Sequence, residues 1–431
     1  MSDHTTFPPA TLADIARQVG TPAYIYSQAR IEANFGRLKA AFGAESLQCY
    51  SVKANGNLSV LCLLRDLGAG FDVVSTGEMG RALAIGADPA TIVFAGVGKR
   101  DDELASALDA HIGWINVESA QELAVLSDLA RAKNIRQRVA LRINPAVDPH
   151  THRYLATGKG TSKFGIEMDE ALRLVERRAD YPGVEINGVH IHIGSMVCET
   201  GPYADAMRVA LDFIAACRRL GAVMTTFDVG GGFGVAYTAD GQTAPVERIA
   251  HEIVPLAHAA KVHLLFEPGR SIIADAGVLL TRVLYTKTNG GVHYAVVDAA
   301  MNDLIRPALY GAIHAVTPLE SGQARDTQDT QDTHPLRTYA IVGPVCESGD
   351  KLAEAVQLPE LRRGDLLMIH HTGAYGMSMA STYNARPRSA EVLLTARPAS
   401  SGPIPTLAWR LIRPREALAS LWASEVECLN P

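Results

Sequence analysis

Short runs of apolar, mostly β-branched residues recur through the first part of the chain, at 47–52, 71–74, 92–95, 114–117, 139–143, 189–193, 227–229 and 264–266. Most are separated by Ala- and Leu-rich stretches with apolar residues at helical spacing, such as 59–67, 78–85, 101–110, 119–132 and 203–220. A strand and then a helix, eight times over, predicts a (β/α)8 barrel of the α/β class. Strands that are apolar throughout suit a parallel sheet covered on both faces. A doubly wound open sheet is the alternative that the same pattern allows.

Past about residue 276 the texture changes to runs at 278–286, 292–297, 338–342, 365–370 and 391–395, punctuated by Gly and Pro, and this predicts a mainly β second domain. The strand-like AYIY near the start precedes the barrel and is expected to pair with that domain instead. The expected organisation is a barrel over 29–276 and a β domain built from 1–28 plus 277–431. Residues 319–334, with their DTQDTQDTH near-repeat, read as a polar, low-complexity loop that carries no chemistry.

Charge and composition narrow the partners. Forty Lys and Arg stand against 46 Asp and Glu, a net charge of -6 with no basic tract, so neither nucleic acid nor a membrane surface is expected to bind. No leader with a basic then apolar region is visible, nor an unbroken apolar run of roughly 18 residues, and a cytoplasmic protein is expected. The six cysteines form no CxxC pair and read as free thiols of a reducing compartment.

Barrels of this kind carry their chemistry at the C-terminal ends of the strands. Those ends hold Lys53, Asp72, Arg142, His190, His192, Ser195, Asp228, Gly230, Gly231, Gly232, Glu267, Gly269 and Arg270. A strand running into GGGFG lets backbone N–H groups approach an anion, and Arg270 and Ser195 add a cation and a hydroxyl, so a phosphate is the natural guest; a simple tight turn is the plainer reading. His190 and His192, two apart on a strand, share a face. They are open to three readings: a metal pair, a ring stacked on a planar cofactor, or satisfied core histidines. The other strand ends offer cations and glycines where a metal would need more ligands, and no metal is expected. Lys53, walled by low dielectric and other cations, is a candidate nucleophilic amine able to condense with a carbonyl, against the ordinary reading of a solvated lysine. Glu267 is suited to hold a heterocyclic nitrogen protonated, or else to pair with Arg270. Amine, carboxylate and phosphate seat together describe a pyridoxal 5'-phosphate site.

At this point the chain resembles the fold-type III pyridoxal phosphate enzymes, alanine racemase-like barrels, and within them the diaminopimelate decarboxylase family. The stretches that carry the resemblance run in order: GTPAYIY, YSVKAN, FDVVSTGE, LRINP, TGKGTSKFGI, HIHIGS, DVGGGFG, FEPGR, RPALYGA, GPVCESGD, GAYG and YNARPR. The resemblance implies a homodimer with shared active sites and the PLP-dependent decarboxylation of meso-diaminopimelate to L-lysine and carbon dioxide, the last step of lysine biosynthesis by that route. It implies that Lys53 bonds the cofactor and that Asp72 lies in the cofactor site. It further implies that His192 stacks on the ring and Glu267 pairs with the ring nitrogen. Ser195, the glycines at 230, 231, 232 and 269, Arg270 and Tyr375 would hold the phosphate region. Arg270, Arg306, Tyr310 and Tyr375 would meet the substrate. Cys346 would donate a proton and Glu347 would bind the distal amino group, both from the partner subunit. A sister decarboxylase acting on ornithine, arginine or a carboxylated polyamine would use the same machinery, and a racemase or a non-catalytic carrier are more remote alternatives. Ser27, where an acidic residue is common, and the 319–334 insertion depart from the family pattern.

Overall fold

The structure is a computed structural model that describes residues 6–145, 163–319, 335–396 and 407–429. It divides into two compact units. One comprises Ala33–Val235 with Gln242–Ser271, the other Met1–Glu32 with Ala236–Gly241 and Ile272–Pro431.

After a first strand, β1 (Ala23–Ser27), eight strands build the first unit: β2 (Leu47–Ser51), β3 (Gly70–Val73), β4 (Ile92–Phe94), β5 (Trp114–Val117), β6 (Gln137–Arg142), β7 (Val184–His190), β8 (Thr226–Asp228) and β9 (His263–Phe266). Each pairs in parallel with the next, and β2 returns to β9 through Leu47–Leu265 and Gln48–Phe266. That pairing closes the barrel and excludes the open doubly wound sheet, which would leave two edges. β3, β4 and β8 are buried along their whole length, as strands covered on both faces must be. β7 begins five residues before the apolar run that announced it, because Glu185, Asn187 and Gly188 break the hydrophobic pattern, while the pairing with β6 continues past a register shift at Asn187.

Two strand-to-helix turns at the catalytic end are pinned the same way. Ser75 Oγ accepts the Glu78 N–H at 3.2 Å while the Glu78 carboxylate accepts from Val74 N–H at 2.9 Å. Ser119 and Glu122 repeat the arrangement, with Glu122 reaching back to Glu118 N–H at 3.1 Å. Such reciprocal caps contribute about 1 kcal/mol each and fix where the loops leave the barrel.

The second unit is a nine-stranded mixed sheet made of β1 with β10 (Gly277–Asn289), β11 (Val292–Val297), β12 (Val316–Pro318), β13 (Arg337–Val342), β14 (Lys351–Leu358), β15 (Leu366–Ile369), β16 (Ala390–Ala396) and β17 (Leu407–Arg413). β1 lies between β10, to which it is antiparallel, and β16, to which it is parallel. The helix Pro9–Gln18 packs Leu12 and Ile15 against Ile25, Val278, Leu280, Met368, Val392 and Leu394, and these residues form the core of this unit. Three strands, β12, β14 and β17, had no signal in the sequence. The Lys- and Glu-bearing β14 exposes much of its length and lacks an apolar face to read. Of the polar stretch 319–334, all but Leu319 lies outside the described residues. No helix among the described residues is long and apolar enough to cross a membrane, and all six cysteines are free thiols.

Candidate active site

The barrel strands deliver their unusual side chains to one end. Lys53 sits in a single 3-10 turn, Val52–Ala54, directly after β2, where its Nζ donates to Asp72 Oδ2 at 2.8 Å. Asp72 is fully buried on β3 and also accepts from Ser51 Oγ at 2.7 Å. Burial and the charge of Glu267 push the Asp72 carboxyl up, and the Lys53 charge and hydrogen bond pull it back. The amine is therefore not walled in by cations alone, as the sequence suggested; a buried carboxylate holds it in place.

His190 and His192 do not act as a pair. His190 Nε2 lies 3.4 Å from Glu267 Oε2, both side chains nearly inaccessible, whereas His192 Nδ1 accepts the Gly231 N–H at 3.2 Å. An imidazole nitrogen that accepts from backbone carries no proton. Burial, reinforced by Arg142 and Lys53, lowers the His192 ring to about 3, so it stays neutral, suited to lie against a planar group. Glu267, at the end of β9, also accepts from Asn116 Nδ2 at 3.2 Å. Burial works to raise its carboxyl, but the facing His190 imidazole and the charge of Lys53 outweigh it and hold Glu267 ionised. The expected alternative of a Glu267–Arg270 bridge is not what forms. Arg142 is likewise committed, to Glu118 at 2.6 Å.

The glycine run is also demanded by backbone packing. A Cβ on Gly230 would lie 2.4 Å from the Ile191 carbonyl oxygen, on Gly231 2.2 Å from that of Glu267, and on Gly232 2.1 Å from that of Gly194. Neighbouring strand ends approach so closely that only glycine fits. Two of the N–H groups are used internally, Gly230 to Asp228 Oδ1 at 2.9 Å and Gly231 to His192. At the neighbouring strand ends Arg270 Nη2 donates to Ser195 Oγ at 3.1 Å, with Arg270 almost wholly buried, a cation and a hydroxyl suited to an anion. Gly269 lets the chain after β9 lie against the turn that carries Lys53, since a Cβ there would meet Ser51 and Ala54 at 2.9 and 3.0 Å.

These residues fit pyridoxal phosphate on their own chemistry. A primary amine, an ionised carboxylate and a buried guanidinium with a hydroxyl share one barrel end, and Asp72 Oδ1 is buried there with no hydrogen-bond partner.

The second unit carries the remaining predicted residues. Arg306 opens the short helix Arg306–Tyr310 with its guanidinium 5.0 Å over the Tyr237 ring, and is buried, whereas Tyr310 is 39% exposed. The two residues, four apart on one short helix, sit in different environments. Cys346 is exposed, and its N–H donates to Asn384 Oδ1 at 2.9 Å. The Glu347 carboxylate accepts the Tyr383 hydroxyl. Asp350 clamps their loop by accepting from Val345 N–H and Met301 N–H, both at 2.7 Å. Tyr375 has φ of 56°, strained for a residue with a side chain, between Gly373 and Gly376, whose absent Cβ atoms leave room for the Ile273 and Thr372 carbonyls. Tyr383, Asn384 and Asp350 were missed as supports, although YNARPR and GPVCESGD, which contain them, stood out in the sequence. Asn116 was missed altogether, and no motif marks it.

Residues 28–274 match the family described as pyridoxal-dependent decarboxylase, pyridoxal binding domain. A diaminopimelate decarboxylase of Pseudomonas aeruginosa is 43% identical over 418 residues, 96% of this chain and 95% of that one. The diaminopimelate decarboxylase of Vibrio cholerae is 42% identical over 415 residues, covering 96% and 94%. The crystal structure of diaminopimelate decarboxylase from Helicobacter pylori in complex with L-lysine superposes with a TM-score of 0.88 at 39% identity, covering 97% of this chain and all of that one. A barrel end built for pyridoxal phosphate, in a chain alike to these proteins from end to end, belongs to the pyridoxal-dependent decarboxylases, in the diaminopimelate decarboxylase family.

Proposed function

We propose that this chain removes carbon dioxide from meso-diaminopimelate to give L-lysine, using pyridoxal 5'-phosphate, as the last step of lysine synthesis from that compound. The observation that carries the reading is the convergence of Lys53, ionised Glu267 and the Arg270–Ser195 pair at one barrel end. When bound, the cofactor supplies an electron sink for the bonding pair released with carbon dioxide.

Lys53 is the residue to bond the cofactor aldehyde, and Asp72 keeps its amine in place until then. Glu267 would keep a proton on the ring nitrogen, which would deepen the sink. Neutral His192 would face the ring without adding a charge, while Arg270 and Ser195, with Gly230, Gly231, Gly232, Gly269 and Tyr375, would hold the phosphate region. Arg270, Arg306, Tyr310 and Tyr375 contact the substrate, the arginines taking its carboxylates. Cys346 returns a proton to the substrate Cα, and Glu347, steadied by Tyr383, binds the distal ammonium. A substrate lacking that ammonium would leave the Glu347 charge without a cation, which disfavours simpler amino acids. The chain works as a homodimer, in which Cys346 and Glu347 serve the site of a second copy of this chain. A cytoplasmic setting fits six free thiols.

The test is a visible absorption spectrum of the purified protein with and without meso-diaminopimelate, with carbon dioxide and lysine assayed in the same tube. A yellow protein that forms lysine is expected. A yellow protein inert to meso-diaminopimelate but active on ornithine or arginine would move the assignment to a sister decarboxylase. A protein that takes up no pyridoxal phosphate would end the reading.

A further inference from the structure

Asp228, the last residue of β8, stands just before the glycine run and has no part in the function proposed above. It is buried beside Glu267: one donor atom from each of His190, Asp228 and Glu267 lies within 4.8 Å of the others. The amide of Asn116, reaching in from β5, bridges the two carboxylates, with Nδ2 at 3.2 Å from both Asp228 Oδ2 and Glu267 Oε1. Two carboxylates this close and this dry cannot both ionise; one must keep a proton. The partners decide which. Glu267 faces His190 at 3.4 Å and feels the Lys53 charge, whereas the hydrogen-bond donors to Asp228 are neutral, the Asn116 amide and the Gly230 N–H at 2.9 Å. His190 also lies within 4.8 Å of Asp228, yet its closest carboxylate contact is with Glu267, and the other titratable groups around the pair, Asp72, neutral His192 and Cys49, bring no cation.

We propose that Asp228 is a protonated positioning residue, a neutral carboxylic acid that with Asn116 fixes the ionised Glu267 carboxylate in place for the cofactor ring nitrogen. This rests on the pyridoxal phosphate reading. Burial and the Glu267 charge raise the Asp228 carboxyl well above its usual range, which agrees with the geometry. The arrangement lets Glu267 keep its charge in a dry site, because its neighbour gives up its own.

The test compares Asp228→Asn, which keeps a neutral hydrogen-bonding group of the same shape, with Asp228→Ala, which removes it. Infrared difference spectra of the holoenzyme at pH 7 should contain a protonated-carboxyl stretch that Asp228→Asn lacks. Asp228→Asn should bind pyridoxal phosphate within about threefold of the parent with an unchanged visible spectrum, and Asp228→Ala should bind about tenfold more weakly, the size of one lost buried hydrogen bond. A missing band would overturn the proposal; a divalent cation held by His190, Asp228 and Glu267 would also give that result, since it would keep both carboxylates ionised. Cofactor loss in Asp228→Asn as deep as in Asp228→Ala would overturn it as well, since a charge rather than a shape would then be needed. If Asp228→Ala does not fold, the band and the Asp228→Asn affinity still decide. The infrared band reports on Asp228 itself, so its absence is distinguishable from failure of the parent protein to take up cofactor.

Discussion

Replacing Gly231 by alanine tests whether the glycine run exists for backbone packing. The added Cβ would lie 2.2 Å from the Glu267 carbonyl oxygen and 3.0 Å from its carbon, so one strand end must retreat by about 1 Å to reach ordinary contact. Overpacking of this kind costs about 1–3 kcal/mol, and straining the Gly231 N–H bond to His192 adds about 1, for roughly 2–4 kcal/mol in all. The displaced strand end carries Glu267, and a shift near 1 Å in a positioning group costs on the order of a hundredfold in rate. Gly80→Ala is the control: in the middle of the helix Thr76–Ala84 with nothing within 4 Å of its Cβ, it should stabilise by about 0.5–1 kcal/mol. Urea unfolding followed by circular dichroism, with a cofactor titration, reads both variants. A Gly231→Ala protein as stable as its parent, with full cofactor affinity, would refute the packing argument.

Because His192 is held near 3 in the folded protein and titrates near 6.5 when unfolded, its contribution to stability is complete above pH 6.5 and is lost as pH falls from there toward 3. About 2 kcal/mol should be gone by pH 5, and His192→Gln should flatten that slope in urea midpoints taken at pH 7 and 5. Cys346→Ala should keep the visible absorbance of the parent and lose about 100-fold or more in turnover, the scale of a general acid; an undiminished rate would remove the thiol from the mechanism. Mixing Cys346→Ala with Lys53→Ala subunits should restore part of the activity if sites are shared, and a mixture as dead as its components would refute sharing. Tyr383→Phe, which leaves Glu347 without its hydroxyl donor, should raise KM for meso-diaminopimelate about fivefold with the cofactor spectrum unchanged.

The barrel was legible because each of its strands is a short apolar run between helical stretches, and every one of the eight appears within a few residues of its run. β14 and β17 were not, since a half-exposed strand that contains Lys, Glu and Arg has no pattern to distinguish it from a loop or a helix. Lys53, Glu267, Arg270 and Ser195 could be picked out by position alone, because strand ends of one barrel converge. The committed partners could not: that Asp72 takes the Lys53 amine, that His190 rather than Arg270 faces Glu267, and that Asn116 ties two carboxylates together depend on which side chains four different strands turn inward. The glycine run shows the limit most clearly, since the letters suggested an anion seat or a turn, and only the carbonyl oxygens opposite them show the tight approach of strand ends.

The place of β1 in the second sheet bears on how the chain is made. Tyr26 of β1 donates its hydroxyl to Glu391 of β16 at 2.8 Å, across 365 residues of sequence. At a synthesis rate of about 5–20 residues per second, the first strand waits roughly 20–70 seconds after leaving the ribosome before its parallel neighbour is made. The barrel strands have all emerged by then, so the barrel can assemble during translation, while the sheet that contains the start of the chain must be completed at the end. Until β10 is made β1 is an apolar strand with both edges open, and until β16 is made one edge stays open; the helix Pro9–Gln18, which carries part of the same core, is the cover nearest to it in sequence. Deleting that helix should therefore show first as lower soluble yield during synthesis, before any effect on the finished enzyme.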